Sequence, residues 1–438
     1  MKTSKFNLGL IGLVAVVGIG MSSCRKGCTD PTALNYDSKA KKDDSSCIMD
    51  TTSVPTNTNI IKSGSISIDE TWTSGNIYEL AGKVVVRDGA VLTIEPGTII
   101  KGQEGTGTQA SALVIAQGAQ INAVGTPSQP IIFTSTLDNI IAGQLSGTNL
   151  SETDQGLWGG IIVLGNAPIS AADGDALSQI EGIPVSSTYG AFGGSDATDN
   201  SGIMSYISIR HGGALIGAGN EINGLTLGGV GSGTTISYIE VVANLDDGVE
   251  FFGGTVDASN ILVGFQGDDG IDIDMNYSGT VSNFIVINGL NSDEALEIDG
   301  PEGSTYTSGM FALENGTVYT FGGGEARGDF KSKAQGSVTN VKMGTAKIRA
   351  SYQNECVDAK ADAFVHLTQV SPILTFSGSE FSSVVVYTAS QDSGLNYCTV
   401  FPADQSAAEN AMTSTMASGS DESAFVGWTW SSVNEKLY

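Results

Sequence analysis

The sequence predicts an all-β chain wound as a right-handed parallel β-helix, and three observations carry that expectation. First, 58 glycines and 10 prolines punctuate apolar runs of only three to five residues, as in "KVVVRDGAVLTIEPGTIIKG", "SALVIAQGAQINAVG", "PIIFTS" and "WGGIIVLGNAPIS", with no 3.6-residue periodicity nearby. Second, "ISYIEVVANLDDGVEFFGG", "ASNILVGFQGDDGIDIDMN" and "VSNFIVINGLNSDEALEIDG" align from starts at Ile236, Ala258 and Val281, intervals of 22 and 23 residues. Third, that interval suits one coil of a solenoid with about three short strands. A leucine-rich repeat of similar period needs a leucine–asparagine framework that is absent here, and a propeller blade needs about twice the length.

The elements follow in order. Lys2 and Lys5 precede an apolar run from Phe6 to Met21, which is short for a membrane span and reads as a signal segment. Met21-Ser22-Ser23-Cys24 resembles a bacterial lipobox. The resemblance implies removal of residues 1–23 as a signal peptide, a diacylglyceryl thioether on Cys24 and a palmitate-type acylated amino terminus, so that lipid and not a helix anchors the chain. A soluble secreted protein that happens to carry Cys24 is the alternative.

The formal charge of −27 excludes nucleic acid and anionic lipid surfaces as partners. Cations, neutral polymers, polysaccharide or another envelope protein remain. With Cys24 given to lipid, the pairs nearest in sequence are Cys28 with Cys47 and Cys356 with Cys398, two disulfides suited to an exported setting. A cysteine metal site lacks CxxC spacing and has only His211 and His366 to help it.

Residues 24–59 read as a lipidated tether. Within it "CTDPTALNYDSKAKKDDSSC" is similar to a short Asp/Asn-rich repeat of exported Bacteroidota proteins. Asp30, Asn35, Asp37, Asp43 and Asp44 could hold calcium loosely, but so short a loop has no core, and a disulfide-closed spacer is the simpler expectation. "TTSVPTNTN" follows as a linker. Residues 60–344 form the β-helix. From about Thr345 the repeat breaks, and residues 345–438 are expected to cap the open end, stapled by Cys356–Cys398.

The three aligned copies each carry acids: Asp246-Asp247-Gly248-Val249-Glu250, Asp268-Asp269-Gly270-Ile271-Asp272 and Asp293-Glu294-Ala295-Leu296-Glu297. Strand alternation turns Val249, Ile271 and Leu296 inward, then Phe251, Ile273 and Ile298. Glu250, Asp272, Glu297, Asp274 and Asp299 therefore face out, with Asp247, Asp269 and Glu294 at the preceding turn. Two carboxylates about 5 Å apart repel by about 1 kcal/mol in water and by several times that when partly desolvated. Bound Ca²⁺, shared protons, or bases on the next coil would relieve the stack; in "GDFKSK", Lys331 and Lys333 stand on the outer face if Phe330 packs inward. Turn chemistry explains Asp246, Asp247, Asp268 and Asp269 but not Asp on strands, where it is disfavoured. The eight residues Asp247, Glu250, Asp269, Asp272, Asp274, Glu294, Glu297 and Asp299 are thus candidate Ca²⁺ ligands, with a solvated acidic face or catalytic acids as alternatives.

"VLTIEPGTIIKG", "PIIFTS", "WGGIIVLGNAPI", "NEINGLTLGGVGSGTTISYIEV", "DDGVEFFGGTVDASNILV" and "DDGIDIDMNYSG" resemble a family of exported, often lipid-anchored β-helix proteins of Bacteroidota and other Gram-negative bacteria. The resemblance covers roughly residues 75–300 and implies fold and export, not an activity. It places the chain in the envelope as an outer-membrane lipoprotein. Surface and periplasmic orientations both stay open, since Arg25-Lys26-Gly27 stands where surface-export signals of that phylum place acids.

The expected role is non-enzymatic, binding a ligand or building the cell surface with Ca²⁺. The alternative is a carbohydrate-active β-helix enzyme: a calcium-assisted lyase with Arg327 or Lys331 as base, or a hydrolase using Asp272 with Asp274. G-x-S-x-G, HExxH and phosphate-loop motifs are absent. His211 in "IRHGG" reads as structural, and Trp158 in "GLWGG" as a packing residue.

Overall fold

The computed structural model describes residues 25–29, 33, 35–44, 46–47, 59–174, 176–216, 221–322, 327–351, 362–388 and 400–437. Cys24, Asp30, Cys356 and Cys398 lie outside them. Two compact units are formed, Met1–Thr56 and Asn57–Tyr438. In the first, a disulfide joins Cys28 to Cys47 across Cα atoms 4.7 Å apart, Arg25 pairs with Asp37 at 2.7 Å, and Asn35 donates to the Ser46 carbonyl at 2.6 Å.

The second unit is a parallel β-helix. Its short strands pair with the next coil in parallel on three faces. The first face runs from Val91–Ile94 through Gln120–Val124 to the leading halves of Thr235–Val242, Ala258–Gly264 and Thr280–Asn288, and the trailing halves of those long strands form the second face. The third comprises Ala112–Ile115, Ile161–Leu164, Leu225–Gly228, Val249–Phe252, Ile271–Asp274, Leu296–Ile298 and Arg327–Phe330. The repeat seen in the sequence is the register itself: Ile236 pairs with Ala258 and Ala258 with Val281, while Val249 pairs with Ile271 and Ile271 with Leu296. Val249, Phe251, Ile271, Ile273, Leu296 and Ile298 are buried in one core that runs along the axis.

Local chemistry sets the corners. Between the first and second faces one residue per coil takes the left-handed conformation: Asn260, Asn283, Asn315 and Asn340 have φ between 52° and 57°, a region asparagine tolerates better than other side chains. Their amides also stack, Asn283 donating to Asn260 at 2.6 Å and Asn340 to Asn315 at 2.7 Å. The glycine of each Asp-Asp-Gly has a different reason. A Cβ on Gly248 would lie 2.2 Å from a Val263 methyl, and one on Gly270 would lie 2.5 Å from Val286, so these turns press directly onto the core.

Strand pairing continues past residue 344. Gly336–Arg349 pairs with Leu374–Ser377 and Glu380–Tyr387, and no helix among the described residues is long and apolar enough to cross a membrane. The helices Ala363–Thr368 and Pro402–Ala411 place Ala363, Leu367 and Ala408 onto the end of the core. The rest of the expected cap does something else: residues 418–436 run back along the second face. Ser418 donates to Asn340, Ser420 to Thr317 and Asp421 to Asn283, at 2.8, 2.9 and 2.6 Å. Trp430 and Ser431 then donate their N–H groups to buried Glu240, and Lys436 pairs with Glu152. The cause is apolar surface. Val242, Leu262, Ile285 and Ile287 pack with Phe425, Trp428 and Trp430 in a cluster separate from the main core, and strands apolar on both sides need a cover.

Candidate functional site

On the outer side of the third face, successive coils stack Thr226, Glu250, Asp272, Glu297, Asp329 and Lys347 in one column. Strand alternation and a constant register produce it. Asp274 and Asp299 stand beside it. At the preceding turn Asp247, Asp269 and Glu294 form a third row tied by carboxylate-to-backbone bonds: the Asp269 N–H donates to Asp247 at 2.9 Å and the Glu294 N–H to Asp269 at 2.7 Å. Asp247 and Asp269 therefore also cap the next coil's turn.

The eight acids proposed from sequence are thus brought together, but not as a solvated face. Asp247, Glu250, Asp269 and Glu294 are 3–7% exposed, and the other four are half-buried. Two segments outside the repeat cover them. Ile169, Ala171, Ile180, Phe192 and Ile222 form an apolar layer over the third face, with Phe252 and Met275 packed against it. Residues 302–304 lie against that layer through Glu302 N–H to Ser170 at 3.0 Å and Gly303 N–H to the Ala171 carbonyl at 3.1 Å. Asn223 donates to Glu250.

The charge is settled differently at the two ends of the column. Toward the C-terminal coils, Lys331 pairs with Glu297 and lies 3.8 Å from Asp299. Lys347 pairs with Glu294 and lies 3.9 Å from Asp329, which Arg349 holds at 2.5 Å. Lys331 stands where the inward packing of Phe330 places it, whereas Lys333 is exposed. Arg327 pairs with Asp293 at 3.1 Å. Toward the N-terminal coils, burial first and neighbouring carboxylates second push Asp247, Glu250, Asp269 and Asp272 well above the ordinary carboxylate range. Burial, with Glu181, Asp268 and Glu221, pushes Asp246 up to about 7.

Asp247, Glu250 and Asp272 each present one oxygen, all within 4.8 Å of one another. That span suits a hard cation with oxygen ligands at about 2.3–2.6 Å. Asp272 Oδ1 is buried and has no hydrogen-bond partner among the described residues. The groups Asp246/Asp247/Asp268 and Asp269/Glu294/Glu297 have similar spacing, but Lys331 and Lys347 already neutralise the latter.

A cleft of about 420 Å³ opens beside the column, lined by Asp272, Asp274, Glu297, Asp299, Glu302 and Lys333 among others. Glu302, which sequence reasoning passed over, is pushed up to about 7 by burial and then by Asp274, and its Oε2 is buried with no hydrogen-bond partner among the described residues. Asp329, Lys347 and Arg349 were missed as well. His211 and Trp158 are buried structural residues: His211 Nδ1 lies 2.8 Å from the Asp154 carbonyl, and Trp158 donates to the Arg210 carbonyl at 2.7 Å.

The family described as pectate-lyase like beta helix domain matches residues 64–431. No curated protein and no solved structure matches the chain.

Proposed function

The chain belongs to the pectate-lyase-like β-helix family, and from that premise we propose that it is a cell-envelope protein, anchored through lipid on Cys24, that binds a polysaccharide at the acidic cleft with Ca²⁺ held by Asp247, Glu250 and Asp272. The observation that carries the reading is the buried, unpartnered Asp272 Oδ1 between two other desolvated carboxylates. Burying several carboxylates costs several kcal/mol each unless a proton or a cation compensates, and a cation there also offers a positive point to an anionic sugar at the cleft mouth.

Binding is favoured over elimination chemistry by the fate of the bases. A lyase needs an uncommitted base, yet of the two bases the sequence offered Arg327 is paired with Asp293 and Lys331 is buried between Glu297 and Asp299. That leaves the exposed Lys333 at the cleft wall, and lysine is ordinarily protonated at neutral pH. One observation keeps an enzymatic reading: Glu302, with its pKa near 7 and an unpartnered oxygen in the cleft region, has the properties of a general acid or base.

The test is a panel of acidic and neutral polysaccharides offered in calcium and in chelator. Binding of acidic polymers that chelator removes, without product, supports the reading. Release of shortened or unsaturated sugars that Glu302→Gln abolishes replaces it with the enzymatic one. Calcium-independent binding contradicts the cation's role. For the anchor, Cys24→Ala abolishes labelling by a fatty-acid analogue; retained labelling excludes Cys24 as the attachment site.

A further inference from the structure

Two of the three carboxylates assigned to the cation are nearly closed off. Asp247 and Glu250 are 7% and 6% exposed, and Asn223 donates to Glu250, whereas Asp272 is half-buried at the cleft. A hydrated ion therefore reaches the first two only if something moves. Glu181 shows what lies over them: its charge acts on Asp246, Asp247 and Glu250, and it sits in a hairpin outside the coils.

That hairpin is formed by Ser178–Gln179 and Ala191–Phe192, which pair antiparallel, Ser178 with Phe192 and Gln179 with Ala191, as a two-stranded sheet separate from the parallel sheet of the β-helix. Such a hairpin is marginal on its own in water, so its place depends on docking. Ile180, Ile183 and Phe192 supply it by joining the apolar layer over the third face, with the Phe192 ring centre 5.9 Å from that of Phe252. From the coil side Arg87 donates to Thr188 at 3.0 Å and lies over the Tyr189 ring. The tip is solvated, Val185 being 85% exposed.

Both ends are built to turn. Gly174 and Gly193 bracket the hairpin in the left-handed region, at φ 86° and 92°. Around them the chain is tied down, the Ser170 N–H to the Met275 carbonyl at 2.9 Å and the Gln117 amide to the Gly193 carbonyl at 2.9 Å. Hinges are a few positions of this kind between a fixed and a moving part, and a weakly docked unit on a rigid scaffold is what opens locally. We propose that residues 176–192 are a flap that must lift for a divalent cation to enter or leave the site of Asp247, Glu250 and Asp272. This rests on the cation reading of the column and adds to it the control of exchange.

The test is stopped-flow kinetics on the full chain, with calcium release into excess fluorescent chelator, calcium uptake at several concentrations, and the dissociation constant from equilibrium titration. In Ile183→Ala, a change in the flap and not in a ligand, uptake and release should both quicken roughly fivefold or more. The dissociation constant should hardly change, because a gate scales the two rates together. Arg87→Ala, which removes the bond to Thr188, should do the same more mildly, and it decides alone if Ile183→Ala does not fold. Calcium binding with both rates unchanged would overturn the flap and leave the cation site standing, the ion then passing through the cleft. Faster release with unchanged uptake would overturn it as well, since that marks a weakened site and not a gate. No calcium binding at all would remove the cation site and the flap's role with it.

Discussion

Asp272 pairs in register with Glu297 on the next coil, and Lys331 closes on Glu297 from the coil beyond. The column therefore changes character between two adjacent acids, compensated by protein charge at one and left to a proton or a cation at the other.

Lys331 is the keystone of the compensated end. Lys331→Met leaves Glu297 and Asp299 without their cation, and stability falls by about 3 kcal/mol, the low end of the 3–5 kcal/mol range for breaking a buried pair, because Glu297 keeps 23% of its side chain exposed. Urea unfolding in chelator measures it. A loss below about 1 kcal/mol would place this pair with ordinary surface ion pairs.

The raised pKa values predict a falling stability curve. Burial lifts Asp246 and Glu302 to about 7 and Asp293 to about 6, against roughly 4 in an unfolded chain. Between pH 5 and 8 the folded state binds more protons than the unfolded state, so stability decreases as pH rises. Acids held low, such as Asp154 and Asp421, are ionised in both states there and do not oppose the trend. Melting temperatures in chelator drop from pH 5 to pH 8, and calcium flattens the drop by taking the place of the protons. A flat or rising curve in chelator would show that the carboxylates are hydrated.

The Asp-Asp-Gly glycine is a packing requirement. Gly270→Ala brings Cβ to 2.5 Å from Val286 and 2.6 Å from the Ala295 carbonyl, costing about 1–3 kcal/mol. In the third copy the equivalent residue is Ala295, which is fully buried. Thermal melts of both Gly270→Ala and Ala295→Gly check this, with the first the more damaging. Equal small effects would mean that the coil spacing adjusts freely.

The fold was legible because a constant register writes itself into the sequence: the spacing of Ile236, Ala258 and Val281 is the pairing found. The outward direction of Glu250, Asp272 and Glu297 followed from the same alternation. Their burial did not, since the cover comes from Ile169, Ile180 and Phe192, residues in a long connection with no repeat of its own. Asp329 escaped because 32 residues, not 22 to 25, separate it from Glu297, and Lys347 followed it out of view. The tail was half legible. "NILVG" and "NFIVIN" announce strands apolar on both sides, but sequence alone does not say that Trp428 and Trp430 cover them.

The central claim, a divalent cation at Asp247, Glu250 and Asp272, is tested most directly by melting the wild type and Asp272→Asn with and without calcium. Calcium at a hundredfold above its dissociation constant should stabilise the wild type by about 2.7 kcal/mol. Asp272→Asn should shrink that gain and, because an amide escapes the cost of protonating a carboxylate on burial, melt higher than wild type in chelator. A wild-type melting curve indifferent to calcium, with the variant no more stable in chelator, would contradict the account.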